Sequence, residues 1–138
     1  MAASPAAAAC SVSVTGVAFG NYNPGNAAPD DSTGTINATC LIIDDVPSVA
    51  ISTGSSGSFS PRQMASGGAD LNYNLYTDAS RAIVWGDGTR GTSAANLLLQ
   101  GSFFIWRTYA RTIYGRIPAG QNVTTGAYSD TLVVTVTF

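Results

Sequence analysis

Large apolar side chains alternate with mostly polar ones near the C-terminal end of the chain. One face of an extended strand at residues 130–138 would carry Leu132, Val134, Val136 and Phe138. Further runs with this period of two cover residues 11–15, 35–42, 49–51 and 71–75. β-Branched residues dominate the runs, and stretches rich in Gly, Ser, Asn, Pro and Asp separate them. Short strands separated by turns predict an all-β domain, either a sandwich or a barrel.

Residues 97–99 and 103–106 depart from this pattern because they are almost continuously apolar. The simplest interpretation is a set of strands covered on both faces, for which alternation is not required. A short helix that caps the domain and an exposed apolar loop are the alternatives. An exposed loop of this kind would mark an interaction site. The candidate residues for such an adhesive surface are Phe103, Phe104, Ile105 and Trp106.

Charged residues are scarce in this chain of 138 residues, which has the length of one domain. Only 10% of the residues are charged, all six basic residues are arginine, and the net charge is −2. We do not expect a nucleic acid partner, because the chain has no basic cluster that would bind phosphates. No apolar run approaches the roughly 18 residues of a membrane-spanning helix, so no transmembrane segment is expected.

The sequence lacks the residue types on which many catalytic and metal sites depend. It has no histidine, which removes the commonest general base and the commonest metal ligand, and it has no glutamate. Most of its aspartates stand beside Gly, Ser, Thr or Asn, where an aspartate commonly bonds to the backbone of its own turn. We therefore expect no enzymatic activity, no cofactor and no metal site.

The two cysteines of the chain are Cys10 and Cys40, and their spacing matches no metal-binding motif. In a β-rich chain with few charges, two cysteines favour a structural disulfide and therefore an oxidising compartment. Two buried free thiols are the alternative. Residues 1–9 lack the basic and apolar regions of a complete signal peptide, so we expect them to be at most the remnant of one.

Several short motifs, taken in order, resemble the spore coat protein U domain, the fold of subunits in archaic chaperone-usher pili. After Cys10 they are 17–22 (VAFGNY), 33–36 (TGTI) before Cys40, 61–64 (PRQM), 71–78 (LNYNLYTD), 84–88 (VWGDG), 114–121 (YGRIPAGQ) and 126–131 (GAYSDT). Together they span about residues 10–138. No single motif is decisive, but their order and spacing are specific.

This resemblance implies an incomplete immunoglobulin-like β-sandwich of the pilin type, whose last strand is supplied by a partner. The implied partners are neighbouring pilus subunits, a periplasmic chaperone and an outer-membrane usher, and the implied location is the cell surface, reached through the periplasm. Residues 1–9 would then be a signal remnant or a donor-strand stub before the domain at 10–138, although their small side chains would fill a groove poorly. The residues expected at the groove that accepts the strand are Leu132, Val134, Val136 and Phe138.

A secreted carbohydrate-binding β-sandwich is the alternative function. Its binding platform would use aromatic side chains, whereas core packing is the competing role for the same residues. The aromatic residues concerned are Tyr73, Tyr76, Trp85, Trp106, Tyr109, Tyr114 and Tyr128.

Overall fold

The structure is a computed structural model that describes residues 10–42 and 45–138, so the expected N-terminal segment 1–9 lies outside the described residues. The described residues contain nine β-strands and no helix, which confirms the predicted all-β fold. The strands are β1 (Ser11–Thr15), β2 (Asp30–Leu41), β3 (Ser48–Ile51), β4 (Arg62–Ser66), β5 (Ala69–Tyr76), β6 (Ala95–Asn96), β7 (Leu98–Phe103), β8 (Trp106–Ile117) and β9 (Val134–Thr137).

The larger sheet is built around an antiparallel pair of long strands, β2 and β8. These two strands pair over twelve residues each, from Asp30 opposite Ile117 to Leu41 opposite Trp106. The strand order is β1-β2-β8-β5-β4, and β7 also pairs with β8. Because β2 occupies one edge of β8 along its whole length, β7 and β5 share the other edge, β7 beside 106–110 and β5 beside 114–116.

The smaller sheet has three strands in the order β6-β3-β9 and places the C-terminal strand at its edge. This strand is shorter than the predicted 130–138, because only half of the regular pairing continues at Val133. Ser52 N donates to Val133 O, but Val133 N donates to the side-chain hydroxyl of Ser52 and not to its backbone carbonyl. The predicted alternation is confirmed by burial. The even-numbered side chains from Leu132 to Phe138 are half-buried, and the odd-numbered ones between them are exposed.

The core lies between the two sheets and contains one arginine among its apolar side chains. Arg62 is fully buried and donates hydrogen bonds to the carbonyl oxygens of Ser52, Ile51 and Trp85 and to Asn74 Oδ1. Burial lowers the pKa of Arg62 to about 10, so the guanidinium keeps its charge at neutral pH. The sequence contains the motif that carries Arg62 but no signal that this residue is buried.

A disulfide joins Cys10 to Cys40, as predicted. In the antiparallel pairing of β1 with β2, Ser11 lies opposite Thr39. Cys10 is therefore placed directly across from Cys40, where two side chains on one face of a sheet lie close together. The bond fixes the start of β1 to the buried end of β2.

The interpretation of residues 103–106 as covered strands is wrong, and the exposed loop is the correct alternative. β7 and β8 form a hairpin in which Phe103 pairs with Trp106 across a turn of two residues, Phe104 and Ile105. The side chains at this turn are exposed, even though β2 extends to the same level and pairs Leu41 with Trp106. Of the preceding run, Leu97 is buried, whereas Leu98 and Leu99 are exposed.

Candidate functional site

A groove of about 480 Å³ runs between the outer edges of the two sheets. One wall is formed by Val14 and residues 16–20, which follow β1, and the other by residues 128–132 and Val134, which lead into β9. Within the described ranges, β1 pairs only with β2 and β9 only with β3. Each wall therefore includes a sheet edge whose outer backbone groups have no strand partner.

The floor of the groove is the hydrophobic core itself. The side chains that reach it from the interior are Ile51, Met64, Tyr73, Leu75 and Ile113. All five are otherwise buried against each other between the sheets. A complete sandwich would cover such side chains with a further strand, because each sheet buries its apolar face against the other.

The first wall lies close to the larger sheet because two glycines leave room for it. A Cβ atom on Gly115 of β8 would lie 2.6 Å from Phe19 Cζ and 2.9 Å from Val17 Cγ1, and one on Gly34 of β2 would lie 3.0 Å from Val17 Cγ2. Phe19 also packs edge-to-face on Tyr73, with ring centroids 6.2 Å apart. Glycine at these two positions thus determines how close the wall approaches the floor.

The second wall is held by the carboxylate of Asp130. Tyr73 Oη donates a hydrogen bond of 2.5 Å to it, and Ser55 donates two more from its backbone nitrogen at 3.0 Å and its hydroxyl at 2.9 Å. Burial, followed by the hydrogen bond to Asp130, raises the pKa of Tyr73, so the phenol remains a donor. Gly54 has a φ of +76°, and a Cβ atom there would collide with the Asp130 carboxylate.

The structure brings two of the four predicted groove residues into the groove. Leu132 and Val134 line the second wall. Val136 packs against the core farther along β9, and Phe138 is half-buried at the end of the chain; neither lines the groove. Sequence reasoning missed the first wall, although the apolar alternation of Val17 and Phe19 within one of the family motifs was a usable signal.

The second candidate site is the hairpin tip, which we define as residues 103–106. Its side chains are 71%, 84%, 56% and 39% exposed from Phe103 to Trp106. The rings of Phe103 and Phe104 contact each other edge-to-face at 4.8 Å, and the backbone nitrogen of Ile42 donates a hydrogen bond to Ile105 O. Trp106 is seven residues from Ile113 along β8, so the tip stands about 24 Å from the groove floor.

Among the charged side chains, some form ion pairs with each other and others bond within their own turn. Arg116 makes two hydrogen bonds with Asp31, at 2.7 and 2.9 Å, and Arg81 lies 3.6 Å from the same carboxylate. The bond from Arg116 is the main reason why the pKa of Asp31 is lowered. Asp87 accepts bonds from Thr89 within its own turn, as the turn interpretation of the aspartates predicts.

Neither a metal-site cluster nor a membrane-spanning helix is found among the described residues. In the part of the chain that the structure describes, no three Asp or Cys side chains come together as a metal site would require. No helix in that part is long and apolar enough to cross a membrane.

The aromatic side chains proposed for a sugar platform do not form one surface. Tyr73, Trp85 and Tyr109 are buried in the core, and the indole nitrogen of Trp85 donates to the carbonyl of Val49 at 2.9 Å. Core packing is therefore the correct role for these three residues. The remaining candidates are Tyr76 and Tyr114, which are half-buried and lie opposite each other on β5 and β8, together with the half-buried Tyr128 and the exposed Trp106.

Comparison with known proteins supports the resemblance inferred from the motifs. The model of the Spore Coat Protein U domain matches residues 1–135 of the chain. Protein U of Myxococcus xanthus is 32% identical over 136 residues, covering 87% of this chain and 70% of that protein. A chain in the crystal structure of the CsuC-CsuE chaperone-tip adhesion subunit pre-assembly complex, from archaic chaperone-usher Csu pili of Acinetobacter baumannii, has a TM-score of 0.59 and 21% identity. That match covers 95% of this chain and 40% of the solved one, and at 21% identity it shows a likeness of fold alone.

Proposed function

This chain belongs to the spore coat protein U domain family, and we propose that it is a structural subunit of a pilus or coat that is completed by a strand donated from a partner. In the assembled state, an extended segment of a neighbouring subunit would fill the inter-sheet groove. Before assembly, a periplasmic chaperone would occupy the same groove and an outer-membrane usher would direct export. The Cys10–Cys40 disulfide suits this route, because the periplasm is oxidising.

The observation that carries this proposal is a groove whose floor is the core and whose walls end in sheet edges without a strand partner among the described residues. A strand laid into it would find backbone hydrogen-bonding groups on both sides. Its alternate side chains would cover the floor residues, which gives register as well as affinity. Without that strand, open edges beside apolar side chains favour aggregation. Assembly by strand donation converts this liability into a specific contact.

The test is thermal unfolding of the chain with and without a synthetic peptide of alternating large apolar residues. The peptide is expected to raise the melting temperature, because a ligand that binds only the folded state stabilises it by mass action. Leu132→Ser, in the groove wall, should weaken the effect. Val133→Ser is the matched control, since the neighbouring Val133 side chain points away from the groove and is 65% exposed. A peptide that leaves the melting temperature unchanged, or that acts equally on both variants, would overturn the proposal.

A further inference from the structure

The hairpin tip concentrates apolar side chains where the fold gains nothing from them. Its four residues are all large and apolar, and Phe104 at the apex is 84% exposed. Residues 97–106 contain no charged residue, and Arg107 follows directly on β8, so the tip itself offers apolar contacts beside a single positive charge. The largest contiguous apolar patch on a monomer, on the order of a few hundred Å², is often a binding site.

The backbone of the tip adds a second unusual feature. Phe104 has a φ of +54° and is the first of the two turn residues. In two-residue hairpin turns with a left-handed first position, that position normally holds glycine, because a side chain there is strained. Phenylalanine at this position is unfavourable for the turn and for solvation alike. Strained residues of this kind concentrate at functional sites.

We propose that the hairpin tip inserts into the interfacial layer of an uncharged lipid bilayer. Phe104 and Ile105 at the apex would enter the acyl boundary, and the less exposed Trp106 at the base would lie at the level of the headgroups. Tryptophan favours that level because its ring is apolar and its N–H is polar. This inference is independent of strand donation, because the tip and the groove are separate surfaces.

The size and shape of the tip favour a bilayer over a second protein molecule. The exposed fractions of its four side chains correspond to roughly 500 Å² if a large aromatic side chain presents about 200 Å². A stable protein interface needs about 800 Å² from each partner. The tip is also convex, with only two residues in the turn, so a protein partner would need a matching cavity.

A bilayer also suits the tip better than a hard apolar surface. The four side chains differ in exposure, and Phe104 at the apex is the most exposed. A rigid flat surface that touches this apex would leave the less exposed Trp106 at the base largely uncovered. A fluid lipid layer adapts around the hairpin and can cover all four side chains, as it does with other interfacial segments that enter it by about 5–10 Å.

The test measures co-flotation of the full chain with neutral phosphatidylcholine vesicles, together with quenching of tryptophan fluorescence by brominated acyl chains. The quencher should reach Trp106 and not the buried Trp85. Phe104→Gly is the decisive variant, because glycine removes the apolar side chain and relieves the turn. We expect its vesicle binding to fall about tenfold or more, with a melting temperature equal to or above that of the parent. Binding of the parent should persist at high salt.

Matched variants distinguish vesicle binding by the hairpin tip from peptide binding by the groove. Ile83→Ser changes another exposed apolar residue, which is 45% exposed and distant in sequence from the tip, and should leave vesicle binding unchanged. Leu132→Ser should lose peptide stabilisation and keep vesicle binding, whereas Phe104→Gly should do the reverse. The inference is wrong if the parent chain does not float with vesicles, if Phe104→Gly floats equally well, or if polystyrene beads retain the chain and vesicles do not.

Discussion

Replacing Tyr73 with phenylalanine tests how the groove is held, because it deletes a single hydroxyl. Tyr73 Oη donates a hydrogen bond of 2.5 Å to Asp130, which ties the groove floor to the second wall. A hydrogen bond to a charged group contributes about 1.5–3 kcal/mol. Asp130 is only half-buried and keeps both bonds from Ser55, so the loss should lie at the lower end. We expect Tyr73→Phe to lower the free energy of unfolding at pH 7 by about 1–2 kcal/mol.

The same substitution should change how stability depends on pH. The pKa of Tyr73 is raised in the folded state, chiefly by burial and then by the bond to Asp130. Tyrosine in the unfolded chain has a pKa of about 10. The resulting stability is therefore fully present below pH 10 and is lost as the pH rises further, because only the unfolded phenol then ionises. At pH 11, one unit above this value, ionisation of the unfolded phenol lowers the free energy of unfolding of the parent by about 1.4 kcal/mol. The phenylalanine variant has no ionisable group at this position and therefore no such loss.

The assay is urea unfolding of parent and variant at pH 7 and pH 11, with the difference between the two proteins as the measured quantity. The difference should be close to zero at pH 11. Tyr114→Phe is the control, because the Tyr114 hydroxyl has no hydrogen-bond partner among the described residues. Its difference from the parent should be small at pH 7. A Tyr73→Phe deficit that is absent at pH 7, or that is equally large at pH 11, would refute the assigned role.

Two further substitutions test the core and the first wall. Arg62→Met should lower the free energy of unfolding, measured in urea, by about 3 kcal/mol, because it leaves buried carbonyl groups without a donor. Arg90 is an exposed arginine that stacks on the same Phe59 ring, so the control substitution Arg90→Met should change this free energy little. Gly115→Ala should lower the free energy of unfolding by about 1–3 kcal/mol and weaken binding of the strand peptide, because the added Cβ would displace Phe19. Gly101→Ala is the control, because a Cβ there meets only an ordinary contact of 3.6 Å, and it should have neither effect. If a control substitution destabilised the protein as much as its test substitution, the role assigned to Arg62 or to Gly115 would be contradicted.

The part of the fold that the sequence predicted best is the part decided by local periodicity. The alternation from Leu132 to Phe138 determines which side chains face inward, because a shift of one residue would reverse every one of them. The disulfide could also be expected, because a β-rich chain with two cysteines has one possible pairing. The family resemblance carried by the motifs predicted the incomplete sandwich. Periodicity alone could not distinguish a sandwich from a barrel.

The remaining features depend on contacts between distant parts of the chain. The groove forms where residues 16–20 meet residues 128–134, and no local pattern states that these segments are neighbours. Burial of Arg62 depends on backbone carbonyl groups from two separate segments, 51–52 and Trp85, and on the side-chain oxygen of Asn74. The hairpin tip was missed as a turn because it has phenylalanine where the usual glycine signal would be. Its apolar run was therefore interpreted as buried strand.

The disulfide at the start of β1 determines how a mechanical force would travel through the subunit. A pull applied to the chain before Cys10 passes directly through the sulfur bridge into Cys40, near the end of β2. Residues 11–39, which include β1 and β2 up to Thr39, lie inside the closed loop, so tension continues from Cys40 to Leu41 without extending them. β1 therefore cannot be peeled away one hydrogen bond at a time by such a pull. The point at which the pull enters the fold is held by the twelve-residue pairing of β2 with β8, the longest ladder of the described residues.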